Sequence, residues 1–106
     1  MKMTATEAAL SRLEQEAREH AQALRINGEL VGGCGMNVEY GLFWDDPAPG
    51  DMITELGGIV LLLDAETAGY IGSDSLLIDY RDQQGYRLVS PEQIIAYGLR
   101  TKERWA

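Results

Sequence analysis

Leu10, Leu13, Ala17, Ala21 and Leu24 recur three or four residues apart, with charged residues between them. That spacing lines one apolar stripe along a helix. Thr4, followed three residues later by Glu7, forms a capping box in which each side chain satisfies an orphan amide of the first turn. The pattern therefore predicts a helix from Ala5 to about His20. The period then changes. Leu24 and Ile26 alternate with Arg25 and Asn27, as in a half-buried strand, and Asn27-Gly28 offers a tight hairpin turn. Beyond a glycine-rich loop, Val38, Tyr40, Leu42 and Trp44 alternate with Asn37, Glu39 and Gly41 in a second strand. "DDPAPGD" ends it, since two prolines and a glycine cannot continue a ladder.

"MITEL" reads as a third strand, and Gly57-Gly58 allows a sharp turn into "IVLLL". That run is apolar throughout, as expected of a strand buried on both faces. "DAETAGYIG" predicts a short helix with Asp64 as N-cap and Gly72 at its end. "LLIDY" and "YRLV" are strands joined by "RDQQG". Ser90, Pro91 and Gln93 form a second capping box with proline at the first helical position, which predicts a short C-terminal helix from Pro91. The expected fold class is α+β and β-dominated: a compact sandwich or barrel of short strands, with a leading helix and a short closing one. A chain of 106 residues is enough for one domain, so residues 1–106 are read as a single unit.

Charge narrows the function. Seventeen acids against nine Lys and Arg give a net charge of −8, the opposite of the basic footprint that nucleic-acid binding requires. Arg100, Lys102 and Arg104 gather near the end and read as a solvated tail. The longest apolar run, "GGIVLLLDA", is far short of a membrane span. "MKMTATEAAL" lacks the apolar core of a signal peptide. One cysteine cannot close an internal disulfide, so the expected home is a reducing cytoplasm.

That cysteine, Cys34, stands in "VGGCGM" between Gly32, Gly33 and Gly35. A thiolate is the metal-binding form of the side chain, and bare glycines let backbone amides approach a bound anion or sulfide. The alternative is a small buried hydrophobe. Three glycines contribute no side chains to a core, so a reachable sulfur is expected. His20, the only histidine, falls near the predicted helix end, where a cation suits the dipole. Asp45, Asp46 and Asp51 read as turn residues, and Asp79, beside Tyr80, as a structural hydrogen-bond acceptor. Ser75 and Ser90 lack the context of a nucleophile.

The order of "TEAAL", "LRI", "GGCGM", "DD", "IDY" and "GYRL" along nearly the whole chain resembles the HesB-like family, the A-type carriers of iron–sulfur biosynthesis. The resemblance implies a β-rich barrel or sandwich behind a leading helix. It implies a carrier rather than an enzyme, with Cys34 as metal ligand and Gly32, Gly33 and Gly35 around the bound group. The cargo would be iron or an iron–sulfur cluster, and the partners assembly or acceptor proteins. A-type carriers read Gly-Gly-Cys-Ser-Gly here and end in a Cys-Gly-Cys pair; this chain has Gly35 after Cys34, and no such pair. In a divergent branch that reads Gly-Cys-Gly-Cys, the second cysteine falls at Met36. Clusters are held by about four ligands, mostly thiolates, so one thiol per chain points to a homodimer or to added ligands. Two readings stand beside carriage: an interaction module that kept the scaffold without the metal, and a thiol enzyme, for which His20 would be the base.

Overall fold

The computed structural model describes residues 1–32 and 37–104. Its elements are β1 (Lys2–Ala5), α1 (Glu7–Ala17), β2 (Ala23–Val31), β3 (Asn37–Asp45), β4 (Met52–Leu56), β5 (Ile59–Leu63), α2 (Ala65–Ile71), β6 (Ser75–Arg81), β7 (Gly85–Val89), β8 (Ile94–Leu99) and β9 (Thr101–Glu103). The strands form two mixed sheets, ordered β1-β6-β7-β8 and β4-β5-β2-β3-β9. The architecture is α+β and β-dominated, as expected, with two open sheets and no closed barrel among the described residues. Alternate residues of the inner strands meet in one core that includes Leu24, Ile26, Leu42, Trp44, Leu61 and Ile78. Each such side chain contributes about 1.5–3 kcal/mol by leaving water.

The first helix begins later than the capping box predicts. Met3 is buried at 3% exposure and pairs with Leu76, so residues 2–5 form a strand parallel to β6. Thr6 becomes the N-cap: its Oγ1 accepts from the Ala9 amide at 3.2 Å and donates to Asp79 Oδ1 at 3.0 Å. Burying Met3 outweighs one more helical turn. Ala9 and Leu13 then seat α1 in the core. Glu16 accepts hydrogen bonds from the Tyr86 and Thr101 hydroxyls, which ties α1 to both sheets. Burial first, and then the Glu16 carboxylate, hold the Tyr86 phenol well above its usual range. Thr6→Val removes the cap and the Asp79 contact together. Urea unfolding is expected to show a loss of about 1–2 kcal/mol; an unchanged midpoint would refute the capping role.

Asn27-Gly28 is not a turn. β2 runs through it and pairs with β3 from Ala23–Asp45 to Val31–Asn37. Gly28 is there for close approach: a Cβ would lie 3.1 Å from the Tyr40 ring and 3.2 Å from the Tyr70 ring. Its amide donates to Thr67 Oγ1 of α2 at 2.9 Å. Asp64 and Gly72 do cap α2 as predicted, Asp64 accepting from the Thr67 amide and Gly72 taking φ 62°.

The predicted C-terminal helix is a strand instead. Ser90 uses the capping chemistry in a turn: its Oγ accepts from the Gln93 amide at 3.2 Å, and its own amide donates to the Gln93 carbonyl at 2.8 Å. The chain then returns along β7 as β8. Ile94 and Ile95 are β-branched and Gly98 has φ 67°, so this segment is a poor helix former. Leu99 still pairs with Tyr86 in the first sheet, whereas Thr101 pairs with Leu42 in the second. The strand thus changes sheets at Arg100. The expected solvated tail is part of the fold: β9 lies beside β3, and Arg104 stacks 5.1 Å from the Phe43 ring centroid.

Candidate functional site

The β2–β3 hairpin carries the loop of interest. Its stem ends at the Val31–Asn37 rung, and Gly32 leaves it with φ 119°, a left-handed conformation that strains any side chain. Gly33, Cys34, Gly35 and Met36 lie outside the described residues. What holds the stem in place lies at its other end. Arg25 is 5% exposed on the face of β2 turned away from the core. Its Nε donates to Asp45 Oδ2 at 2.6 Å, and its terminal nitrogens reach the two Asp51 oxygens at 2.9 and 2.6 Å. The Asp46 carbonyl accepts a further bond at 3.3 Å. The "DDPAPGD" segment therefore folds back onto the sheet around one guanidinium. Hydrogen bonding to Arg25 pulls the Asp51 carboxyl below its usual range, and the same bonds push Arg25 further up.

Asp45 closes β3, and Asp46 and Asp51 lie in the loop that follows, with a shared buried partner that the turn reading missed. The available signal was Arg25 itself, a charged residue within an otherwise apolar "ALRI" strand, with surplus acid downstream. Asp79 also behaves as expected, accepting from Arg87 at 2.7 Å and from Thr6. Those two bonds, Arg87's first, hold its carboxyl low. Tyr80 packs beside it in the same strand, its ring tilted against Tyr86 at 4.7 Å.

His20 stacks on Trp44, with ring centroids 4.9 Å apart and planes 11° from parallel. Its Nδ1 is 3.8 Å from Glu103 Oε1. Trp44 pairs with Leu24, seven residues from Val31 along β2. At ~3.3 Å per residue that is about 23 Å along the stem, so His20 stands at the end opposite the loop. Ser75 and Ser90 hydroxyls are spent on no base; Ser90 serves its turn. Among the described residues, no three His, Cys, Asp or Glu side chains are placed to hold a metal ion.

A cleft of about 380 Å³ flanks the stem near the loop end. Glu29 and Glu39, directly opposite each other, line it together with Phe43 and with Arg100 and Lys102 from the corner where the strand changes sheets. Burial raises the Tyr40 phenol above its ordinary range. No helix among the described residues is long and apolar enough to cross a membrane.

Comparison with known proteins points one way. A family model described as iron-sulphur cluster biosynthesis matches residues 1–103. The protein Rv2204c of Mycobacterium tuberculosis is 38% identical over 85 residues, which cover 78% of this chain and 70% of that one. SufA of Escherichia coli, involved in the biosynthesis of iron–sulfur clusters, superposes with a TM-score of 0.63 at 19% identity, over 86% of this chain and 82% of its own. At that identity the likeness is one of fold. IscA, solved with a 2Fe–2S cluster, gives a TM-score of 0.65 at 25% identity, over 84% of this chain and 85% of its own.

Proposed function

This chain belongs to the iron–sulphur cluster biosynthesis family, and on that premise we propose that it takes up iron or an iron–sulfur cluster as cargo at Cys34 and passes it on. A part in cluster assembly or carriage follows from membership; the ligand and the hand-over are our reading. IscA holds a 2Fe–2S cluster, and we assign this chain a cargo of that kind. The observation that carries the reading is the hairpin. Its two strands are joined by the segment that holds the chain's only thiol, and the Arg25 cluster pins their other end. We read the protein as a carrier and not an enzyme, because His20, the one candidate base for the thiol, stands at the far end of that stem. One thiol is a poor cage for a cluster. A two-fold homodimer with both loops at its axis would supply two. Assembly and acceptor proteins are the partners this implies, and the cytoplasm the place.

The test is anaerobic reconstitution with iron and sulfide. The wild-type protein is expected to gain visible charge-transfer absorption together with acid-labile sulfide, and Cys34→Ser to gain neither. Absorption that survives in Cys34→Ser would remove Cys34 from the site. One observation favours a second reading: the chain lacks the Cys-Gly-Cys pair and has a single cysteine. A scaffold that binds partners without metal predicts protein isolated without oxygen that carries no iron and takes up none.

A further inference from the structure

Packing demands a glycine at position 28, and glycine there creates a chemically labile dipeptide. Asn27-Gly28 lies within β2, and a side chain at 28 would press on the Tyr40 and Tyr70 rings. A glycine amide has no side chain to shield it, so it is the backbone nitrogen best able to attack the side-chain amide of a preceding asparagine. The chain's other asparagine, Asn37, precedes the β-branched Val38, whose two γ-carbons crowd that approach. Asn27 is half-buried and shares with Arg25 the face of β2 turned away from the core. Its side-chain amide makes no hydrogen bond with a described residue, and the residue opposite it is Gly41, which has no side chain to hold it.

What restrains the reaction is α2. β5 accompanies β2 only as far as the Ile26–Leu63 rung, where the chain turns through Asp64 into the helix. Thr67, fully buried, takes the place of the next rung: its Oγ1 accepts the Gly28 amide at 2.9 Å. Asp64 fixes Thr67 in turn, accepting its amide at 2.7 Å. The nitrogen that would attack is therefore engaged. We propose that Asn27 is a modification site gated by α2: release of the Gly28 amide from Thr67 admits closure to a succinimide, and hydrolysis leaves aspartate or isoaspartate at position 27. In the closure the Gly28 nitrogen gives its proton to water and bonds to the side-chain carbonyl carbon of Asn27. The carbon–nitrogen bond of that side-chain amide breaks, and ammonia leaves. Water then opens either carbonyl of the ring, with no change of oxidation state. The aspartate product adds a negative charge to the face that carries Glu29. The isoaspartate product lengthens the backbone by a methylene carbon and puts the rungs from Gly28–Tyr40 to Val31–Asn37 out of step with those before them.

The test incubates the wild-type chain, Thr67→Val and Thr67→Ser at mildly alkaline pH. After digestion, the peptide that holds position 27 is assayed for the amide-to-acid mass change and for isoaspartate by enzymatic methylation. Valine keeps the shape of Thr67 and removes the acceptor, and is expected to speed modification about two- to tenfold, the worth of one hydrogen bond. Serine keeps the hydroxyl and is expected to hold the wild-type rate. Thr6→Val, which weakens the fold away from α2, is expected to hold it too, because the opening is local. The wild-type protein gives an independent reading: in urea below the unfolding transition, exchange of the Gly28 amide and modification of Asn27 are expected to rise together. The gate is refuted if Thr67→Val is no faster than wild type or if Thr67→Ser is as fast as Thr67→Val. It is also refuted if Thr6→Val speeds modification as much as Thr67→Val, or if the wild-type rate rises only with global unfolding.

Discussion

Arg25→Met is expected to cost about 3–5 kcal/mol in equilibrium urea unfolding at neutral pH. The reason is the company Arg25 keeps. Its side chain and that of Asp51 are 6% and 2% exposed, and Asp45 is 14% exposed. Removing the guanidinium leaves two carboxylates partly or wholly out of water with no counter-charge, and desolvated charge is far costlier than a lost surface contact. Asp51 Oδ2 also accepts from the Ala48 amide at 2.7 Å, so the 46–51 loop loses its anchor as well. The pH dependence gives the sharper check. Hydrogen bonding to Arg25 lowers the Asp51 carboxyl in the folded state, so between that value and the unfolded one, about 3.9, the unfolded state holds more protons. The stability from this pair is fully present above about pH 4 and is lost as pH falls through the lowered folded value. Because a protonated aspartate needs no cation, the gap between wild type and Arg25→Met is expected to narrow over that acid range. A gap that is constant with pH would mean that Arg25 stabilises by packing alone.

Gly85→Ala is expected to cost about 2–6 kcal/mol, summing a left-handed residue's strain of about 1–3 with an overpacking term of similar size. Gly85 has φ 84°, and a Cβ there would lie 2.6 Å from the Leu99 carbonyl oxygen, an atom of backbone that has no rotamer to change. Leu99 opens the corner through Arg100 into β9. The variant is therefore expected to move the amides of Leu99 to Lys102 as well as the unfolding midpoint. A loss within about 0.5 kcal/mol, the size of an ordinary surface change, would show that the corner gives way freely.

These two sites differ in how visible they were beforehand. Gly85 stood in "RDQQG" as an evident turn residue, but its contact with Leu99 depends on a strand that the local signal at Ser90 and Pro91 assigned to a helix. That signal was real, since Ser90 does cap the Gln93 amide; a capping bond closes a hairpin as well as it starts a helix. Likewise Thr4 and Glu7 satisfy the capping pattern, yet Thr6 makes the cap because Met3 is buried at the sheet edge. Local hydrogen-bond chemistry names the residue types and leaves their use to packing.

The sequence by itself determined what depends on neighbours along the chain. Period-2 and period-3.6 patterns fix which face of a segment is apolar, and so gave β3, β4, β5, β6, β7 and the middle of α1. Asp64 and Gly72 delimited α2, because a cap acts within one turn. The single thiol between glycines, the acid excess and the family order were legible for the same reason. Tertiary structure alone decided what depends on residues far apart in sequence. Arg25 meets Asp45 and Asp51 across a fold-back, His20 reaches Trp44 at the end of the hairpin away from the loop, and four charges from the hairpin and the β8–β9 corner converge on one cleft. No window along the chain holds those pairings, since the free energy that sets them is the burial of two sheets against each other.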